Sequence, residues 1–415
     1  MTVTPAAAVS IGTLAGAGPR PNATRLSFKA GDSVQAQVDV GSGNLFVTVR
    51  GLAVPGVDGQ VQLGAFYNSA AAGASTIPRL GHGWGIDYTT DIRLVSNSDF
   101  SATYYGPGGL VGVFTRLSGT ATTYTSAAGF KADLVKTTGG WTMTDRTTRV
   151  KRTFNTAGEL TKVEDRNANA TTVTTAPPLY SSYDDITILA PIGALSARTV
   201  TVQTDPQDTE MYQSASGSQR GVKFVRDNDT MTEFVDAELR ETQFGYQSGG
   251  LLSSISAPGG TSTEFTYDSS DRIASITQVE NNGGPGSSVT RLTYPSATST
   301  LLAGPNTDQS QAVSAVPHTT YTINASQRVS SVLDAAGRTR SANYTANFDV
   351  ATATTGTGTS QSTTTNTYGA NSGESLTKTA KATGAADSLA YANPAGPSQY
   401  QPSSGTDPDA NASTF

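Results

Sequence analysis

The 415-residue chain has no cysteine, only two histidines and two tryptophans, and just 14% charged residues. Each shortage excludes something. Without thiols there is no disulfide scaffold and no thiolate metal site. The 27 Lys and Arg are scattered along a chain of net charge −6, which argues against nucleic acid as a partner, because phosphate binding needs clustered cations. No apolar run approaches the roughly 18 residues of a membrane-spanning helix. The first 18 residues are Ala-rich but lack a basic n-region, so they do not read as a signal peptide. Amphipathic helical stretches of about 10 to 15 residues are also missing, which disfavours helical and alternating α/β folds.

What abounds is threonine, serine and glycine, at 63, 44 and 43 residues. Threonine suits pleated, half-buried strands, and glycine and serine suit turns, so the expected class is all-β. The length fits two or three domains or one extended β body. A thiol-free, Thr-rich chain suits a secreted or cell-surface location.

Residues 1–35 read as a loose leader, with Pro5, Pro19 and Pro21 among Ala and Gly, and order is expected from near Val38. Residues 36–100 form an N-terminal region. In it a strand at 45–49 turns at Pro55-Gly56 and Asp58-Gly59 and returns at 61–67. Residues 101–355 read as a meander with a strand about every ten residues. Residues 356–415 are Thr/Ser/Gly-rich, either degenerate repeats near Tyr368 and Tyr391 or a linker.

Within the meander a unit recurs. It starts at Phe154, Tyr246, Tyr267 and Ile323, each followed by Asn, Asp or Gln and a small-residue turn. An aliphatic residue falls six places later, at Leu160, Leu252, Ile273 and Val329, and a second nine places later, at Val163, Ile255, Ile276 and Val332. Tyr344 repeats the pattern in part, with Val350 and Ala353. The physics is that of a hairpin, and these twelve residues are expected to pack repeat against repeat. Two aliphatics three apart break strand alternation. Either a bulge or burial on both faces would account for that.

These units resemble the YD repeats of the RHS family, which teneurins share; residues 265–276 are the nearest match. Residues 334–340 look like the family's inter-repeat turn. Gly43-Asn44-Leu45, Phe66-Tyr67-Asn68-Ser69 and Leu80-Gly81-His82-Gly83-Trp84 are similar to the region that precedes the repeats in bacterial members. The resemblance spans roughly residues 38–350. It implies antiparallel hairpin repeats forming a spiralling, hollow β-shell, or part of one. In bacterial members such a shell encloses a C-terminal toxic polypeptide. The family's self-cleaving Asp-Pro core is not matched. Asp205-Pro206 and Asp407-Pro408 lack its Tyr-rich, Gly-Leu context, so neither autoproteolysis nor toxin activity is expected.

Catalytic signatures are missing: no Walker loop, no GxGxxG, no GxSxG elbow. His82 sits in a glycine-rich turn beside Trp84, and His318 follows Pro317 at a strand start, where it is expected to be exposed. Three polar clusters, at 165–169, 183–185 and 227–229, have the oxygen ligands calcium prefers. The first lacks the glycine and the bidentate glutamate of an EF-hand loop, and all three read as turns. No metal or other cofactor is expected.

The function read from the sequence is therefore a non-enzymatic shell segment that encloses or presents a polypeptide cargo, such as a toxin in bacterial competition. Its partners would be the rest of a larger chain, or further copies joined through open strand edges, and the cargo itself. A surface adhesin reading glycans through Trp84 and Trp141 is the alternative. A β-rich carbohydrate-active enzyme with paired carboxylates is the third reading.

Overall fold

The computed structural model describes residues 18–57, 59–73, 79–116, 118, 120–176, 185–190, 199–205, 207–215, 218–280, 287–369, 375–393 and 398–415. Among these residues the chain is all-β, with strands joined by turns and a few three-residue 3-10 turns. The first five strands form a sheet in sequence order. They are β1 (Arg25–Lys29), β2 (Val34–Asp39), β3 (Leu45–Gly56), β4 (Gly59–Asn68) and β5 (Trp84–Ile86). Successive residues are buried in β3 (Leu45, Phe46, Val47) and in β5 (Trp84, Gly85, Ile86), the mark of a sheet covered on both faces.

Strand β1 lies inside the stretch read as a leader, and Arg20 ahead of it is buried. Order therefore begins well before Val38. Leu26 and Phe28 pack against the core while Arg25, Ser27 and Lys29 alternate with them. That two-residue period is short and flanked by prolines and glycines, which is why it is faint in the sequence.

From Arg93–Ser96 to Ala412–Thr414 every strand pairs antiparallel with its neighbours in sequence. The result is a meandering ribbon, to which the described strands between Ser362 and Thr414 also belong. The ribbon curls back on itself early. Arg93 bridges to Glu159, and the Leu94 amide donates to the Gly158 carbonyl at 2.9 Å. Gly158 has φ +87°, and a Cβ there would collide with the Leu94 carbonyl, so this contact requires glycine.

Hairpin turns alternate between the two rims of the ribbon, and one rim stacks on what came before it. The Asp229 carbonyl accepts from the His82 amide at 3.1 Å, the Gly250 carbonyl from the Tyr67 hydroxyl at 3.1 Å, and the Ile273 amide donates to Gly43 at 2.9 Å. Further on, the same rim leaves the N-terminal sheet and lands on the ribbon's first round. There the Lys131 ammonium meets Asp349 at 2.7 Å, and the Arg149 guanidinium lies 5.8 Å from the Tyr400 ring centre. The molecule is thus a spiral in which turns of one layer cover loops of the layer below. One core runs without a break from Val34 in the sheet to Leu292 in the ribbon.

The spacing of the repeat aliphatics is explained by a bulge. Phe154 faces Leu160, Tyr246 faces Leu252, Tyr267 faces Ile273 and Ile323 faces Val329. The next registered pairs are Thr153 with Lys162, Gly245 with Ser254, Thr266 with Ser275 and Thr322 with Ser331. One residue per unit is left over, and it resets the alternation so that both aliphatics face one side. Two of these extra residues, Thr161 and Ser330, donate their hydroxyls to the Thr153 and Thr322 carbonyls at 3.1 and 3.2 Å. The Tyr344 and Tyr368 units carry the same shift.

Candidate functional site

The chain's distinctive chemistry lies in how repeats are joined, and it is built from turn, tyrosine and seam. The turn starts with Asp or Asn. Asp268 accepts from the Ser270 and Arg272 amides at 2.9 and 3.1 Å, and the Arg272 Nε reaches its other oxygen at 2.9 Å. Asp236 with Arg240 and Asp334 with Arg338 repeat this geometry, and Asn324 accepts the same two amides. The fourth residue is left-handed in each: Leu239, Asp271, Gln327 and Gly337. Asp165, weighed above as a calcium ligand, is held by the same kind of turn, with Asn167 and Asn169 amides at 2.8 Å. Asp227 and Asp229 flank a tight turn, while residues 183–184 lie outside the described residues.

The tyrosines form a ladder. The hydroxyls of Tyr246, Tyr267, Tyr344 and Tyr391 donate to the carbonyls of Met231, Leu252, Val329 and Leu376, at 2.5, 2.8, 2.7 and 2.8 Å. Each acceptor lies fifteen residues earlier. Tyr294 and Tyr368 also donate to carbonyls, those of Ile273 and Val350, 21 and 18 residues earlier. Leu252, Ile273, Val329 and Val350 are each the first aliphatic of a preceding unit. The rungs of Tyr267, Tyr294, Tyr344 and Tyr368 therefore each tie one repeat to the one before it. Burial pushes the Tyr246, Tyr267 and Tyr294 hydroxyls well above the usual phenol range, so they stay protonated donors. Tyr267→Phe is expected to cost about 0.5 to 1.5 kcal/mol in urea unfolding, the net worth of one hydrogen bond. An unchanged midpoint would mean the rung contributes nothing.

The third part is a polar seam that the sequence did not reveal. Arg20 and Asp39 are each 1% exposed and pair at 2.7 and 2.9 Å. Arg20 also donates to the Ser326 and Gln327 carbonyls at 3.4 and 3.1 Å, binding the 324–328 turn to the N-terminal sheet. Arg328 of that turn is buried, donates to the Pro21 carbonyl at 3.1 Å and stacks 3.8 Å from the Phe348 ring centre.

Of the twelve repeat-packing residues, Phe154, Leu160, Leu252, Ile255, Ile273, Ile276, Ile323 and Val329 are buried. Val163, Tyr246, Tyr267 and Val332 are partly buried against the same clusters. Trp84 is 1% exposed, 5.2 Å from both the Tyr67 and Phe244 ring centres, with its N–H donating to Tyr246 at 2.8 Å. Trp141 is 5% exposed beneath the Lys136 ammonium. Neither indole offers a ring face to a sugar, which corrects the glycan-contact expectation. Both are consumed by packing. His82 is half-buried and touches the repeat rim through its amide, and His318 is half-buried with Nδ1 2.7 Å from the Val316 carbonyl. Among the described residues no three His, Asp or Glu side chains gather as a metal site would need.

Beyond Val329 the core stops. Among the described residues from 330 to 415, only Asp349 is buried. The strands there are paired by threonine ladders, as where Thr352, Ala353 and Thr354 face Thr365, Thr364 and Thr363. Both sheet faces stay partly open.

No family model and no curated protein matches this chain. Solved structures do align with it. A crystal structure of TcdB2-TccC3 aligns at 9% identity and a TM-score of 0.36, over 89% of this chain and 22% of that one. The Photorhabdus luminescens Tc holotoxin pore gives the same four values. TcdB2-TccC3 without its hypervariable C-terminal region gives 10% and 0.34 over 88% and 22%. The chain thus spans less than a quarter of the length of the structures it aligns with.

Proposed function

We propose that this chain is a non-enzymatic wall segment of a repeat-built β-shell that encloses or presents a second polypeptide, a toxin in the bacterial setting that the repeat resemblance implies. The observation that supports this reading most is the contrast along one ribbon. Up to Leu292 the strands bury a continuous core with the N-terminal sheet, whereas from Val350 to Phe415 the same hairpin geometry continues with no buried residue among those described. A sheet with nothing on either face gains little from the hydrophobic effect. It is stabilised when something covers it. The mechanism is containment: the ribbon supplies a wall held by turns, rungs and seam, and the cargo covers its open face.

The strand Ala412–Thr414 pairs on one side only, with Ser404–Thr406, among the described residues. Its free edge invites a further strand, from the rest of a larger chain or from a second copy. Hydrogen–deuterium exchange on the chain alone tests the reading. Amides of strands between residues 350 and 414 are expected to exchange orders of magnitude faster than those between 93 and 279. Uniform protection would overturn it. Light scattering that shows a monodisperse monomer would remove the edge-pairing partner.

A further inference from the structure

Where the N-terminal sheet meets the ribbon's first round there is a cavity of about 200 Å³. Gln62 of β4, Asp87 just after β5, Tyr88, and Arg152 on the strand Lys151–Phe154 supply its polar lining. Ile92, Leu160 and Val163 supply an apolar wall. Two opposite charges face this space without meeting. The Asp87 Oδ1 is shielded from solvent and has no hydrogen-bond partner. The Arg152 side chain feels the Asp87 charge, yet no hydrogen bond or ion pair of its own forms among the described residues. An unsatisfied buried oxygen is costly and calls for a partner such as a water, an ion or a ligand group. Tyr88 adds a left-handed backbone (φ +60°), strain of the sort that persists where the surroundings fix it.

The charges decide the ligand class. A simple anion would pair with Arg152 and be repelled by Asp87, and a simple cation would meet the converse. A molecule that carries both charges a few bonds apart satisfies both. At about 30 Å³ per water the volume corresponds to about seven waters, which admits a ligand of about six or seven heavy atoms. We propose that this cavity binds a small zwitterion of the α-amino-acid class, with its carboxylate on Arg152, its ammonium on Asp87 and its side chain against Ile92, Leu160 and Val163. Burial, reinforced by Asp91 and opposed by Arg152, pushes the empty carboxyl up to about 7. An arriving ammonium relieves that cost.

Calorimetric titration of the full chain with L-alanine, propionate and ethylamine separates the possibilities. L-Alanine is expected to bind with a Kd of about 1 mM or tighter. Propionate and ethylamine, each lacking one charge, are expected to bind at least about tenfold more weakly, as is L-alanine to Asp87→Asn and Arg152→Gln. Folding of Asp87→Asn is checked by its melting curve across pH. In the wild type the folded carboxyl titrates near 7 while the unfolded one titrates near its ordinary 3.8, so this group loses stability as pH rises between those values. The asparagine variant should lack that slope. No binding of L-alanine, equal binding of propionate, or unaltered binding by both variants would each overturn the proposal. The comparison of the three ligands on the wild type decides even if a variant fails to fold.

Discussion

Arg20→Ala is expected to lower the unfolding free energy by about 3 to 5 kcal/mol, because it leaves a buried carboxylate without its partner. Asp39 is 1% exposed, and besides Arg20 it has the backbone amides of Gly41 and Ser42. Those donors soften the loss without replacing a guanidinium. The variant also removes three hydrogen bonds to the 324–328 turn, to the Ser326 and Gln327 carbonyls and the Gln327 side-chain oxygen, so limited proteolysis should cut first near this seam. Arg20→Met with Asp39→Leu is the informative companion, since replacing a whole buried pair by apolar groups is often neutral. Urea unfolding of the three proteins checks this. A single variant within about 1 kcal/mol of wild type would mean the N-terminal sheet is anchored elsewhere.

Trp84→Ala should cost about 3 to 5 kcal/mol, the range for emptying a large aromatic from a core. Three contacts support the high end. The ring packs against Tyr67 and Phe244, and its N–H holds the Tyr246 hydroxyl, which in turn donates to Met231. The tryptophan thus connects the N-terminal sheet to a rung of the ladder. Trp84→Phe should keep most of the packing and lose the hydrogen bond. A double-mutant cycle with Tyr246→Phe should show coupling between the two positions. Additive losses would place Trp84 in the core but outside the ladder.

The hairpin unit was legible because it is local. An aromatic, a turn and two aliphatics fall within ten residues, and four copies make the pattern stand out. Even the anomaly was informative, since aliphatics six and nine places on admitted a bulge, and a bulge is what forms at Thr161 and Ser330. One further signal lay in plain view: Asp236…Arg240, Asp268…Arg272, Asn324…Arg328 and Asp334…Arg338 share one spacing, and each is a turn. Four of the tyrosine rungs sit fifteen residues from their acceptors, but those acceptors are carbonyls, and no residue type marks them. The stacking of rims was out of reach for a different reason. Arg20 and Gln327 are 307 residues apart, and their contact depends on how far the ribbon curls per strand. The interior role of Trp84 follows from the same curvature, which brings Phe244 and Tyr246 onto it.

Containment is tested most directly by protease digestion. The chain would be produced from its genomic locus together with any polypeptide translated from the same reading frame or its neighbour. That polypeptide should survive protease while the wall is folded and be degraded at the free-chain rate once Arg20→Ala loosens the seam. Equal degradation with and without the folded wall would contradict the shell reading.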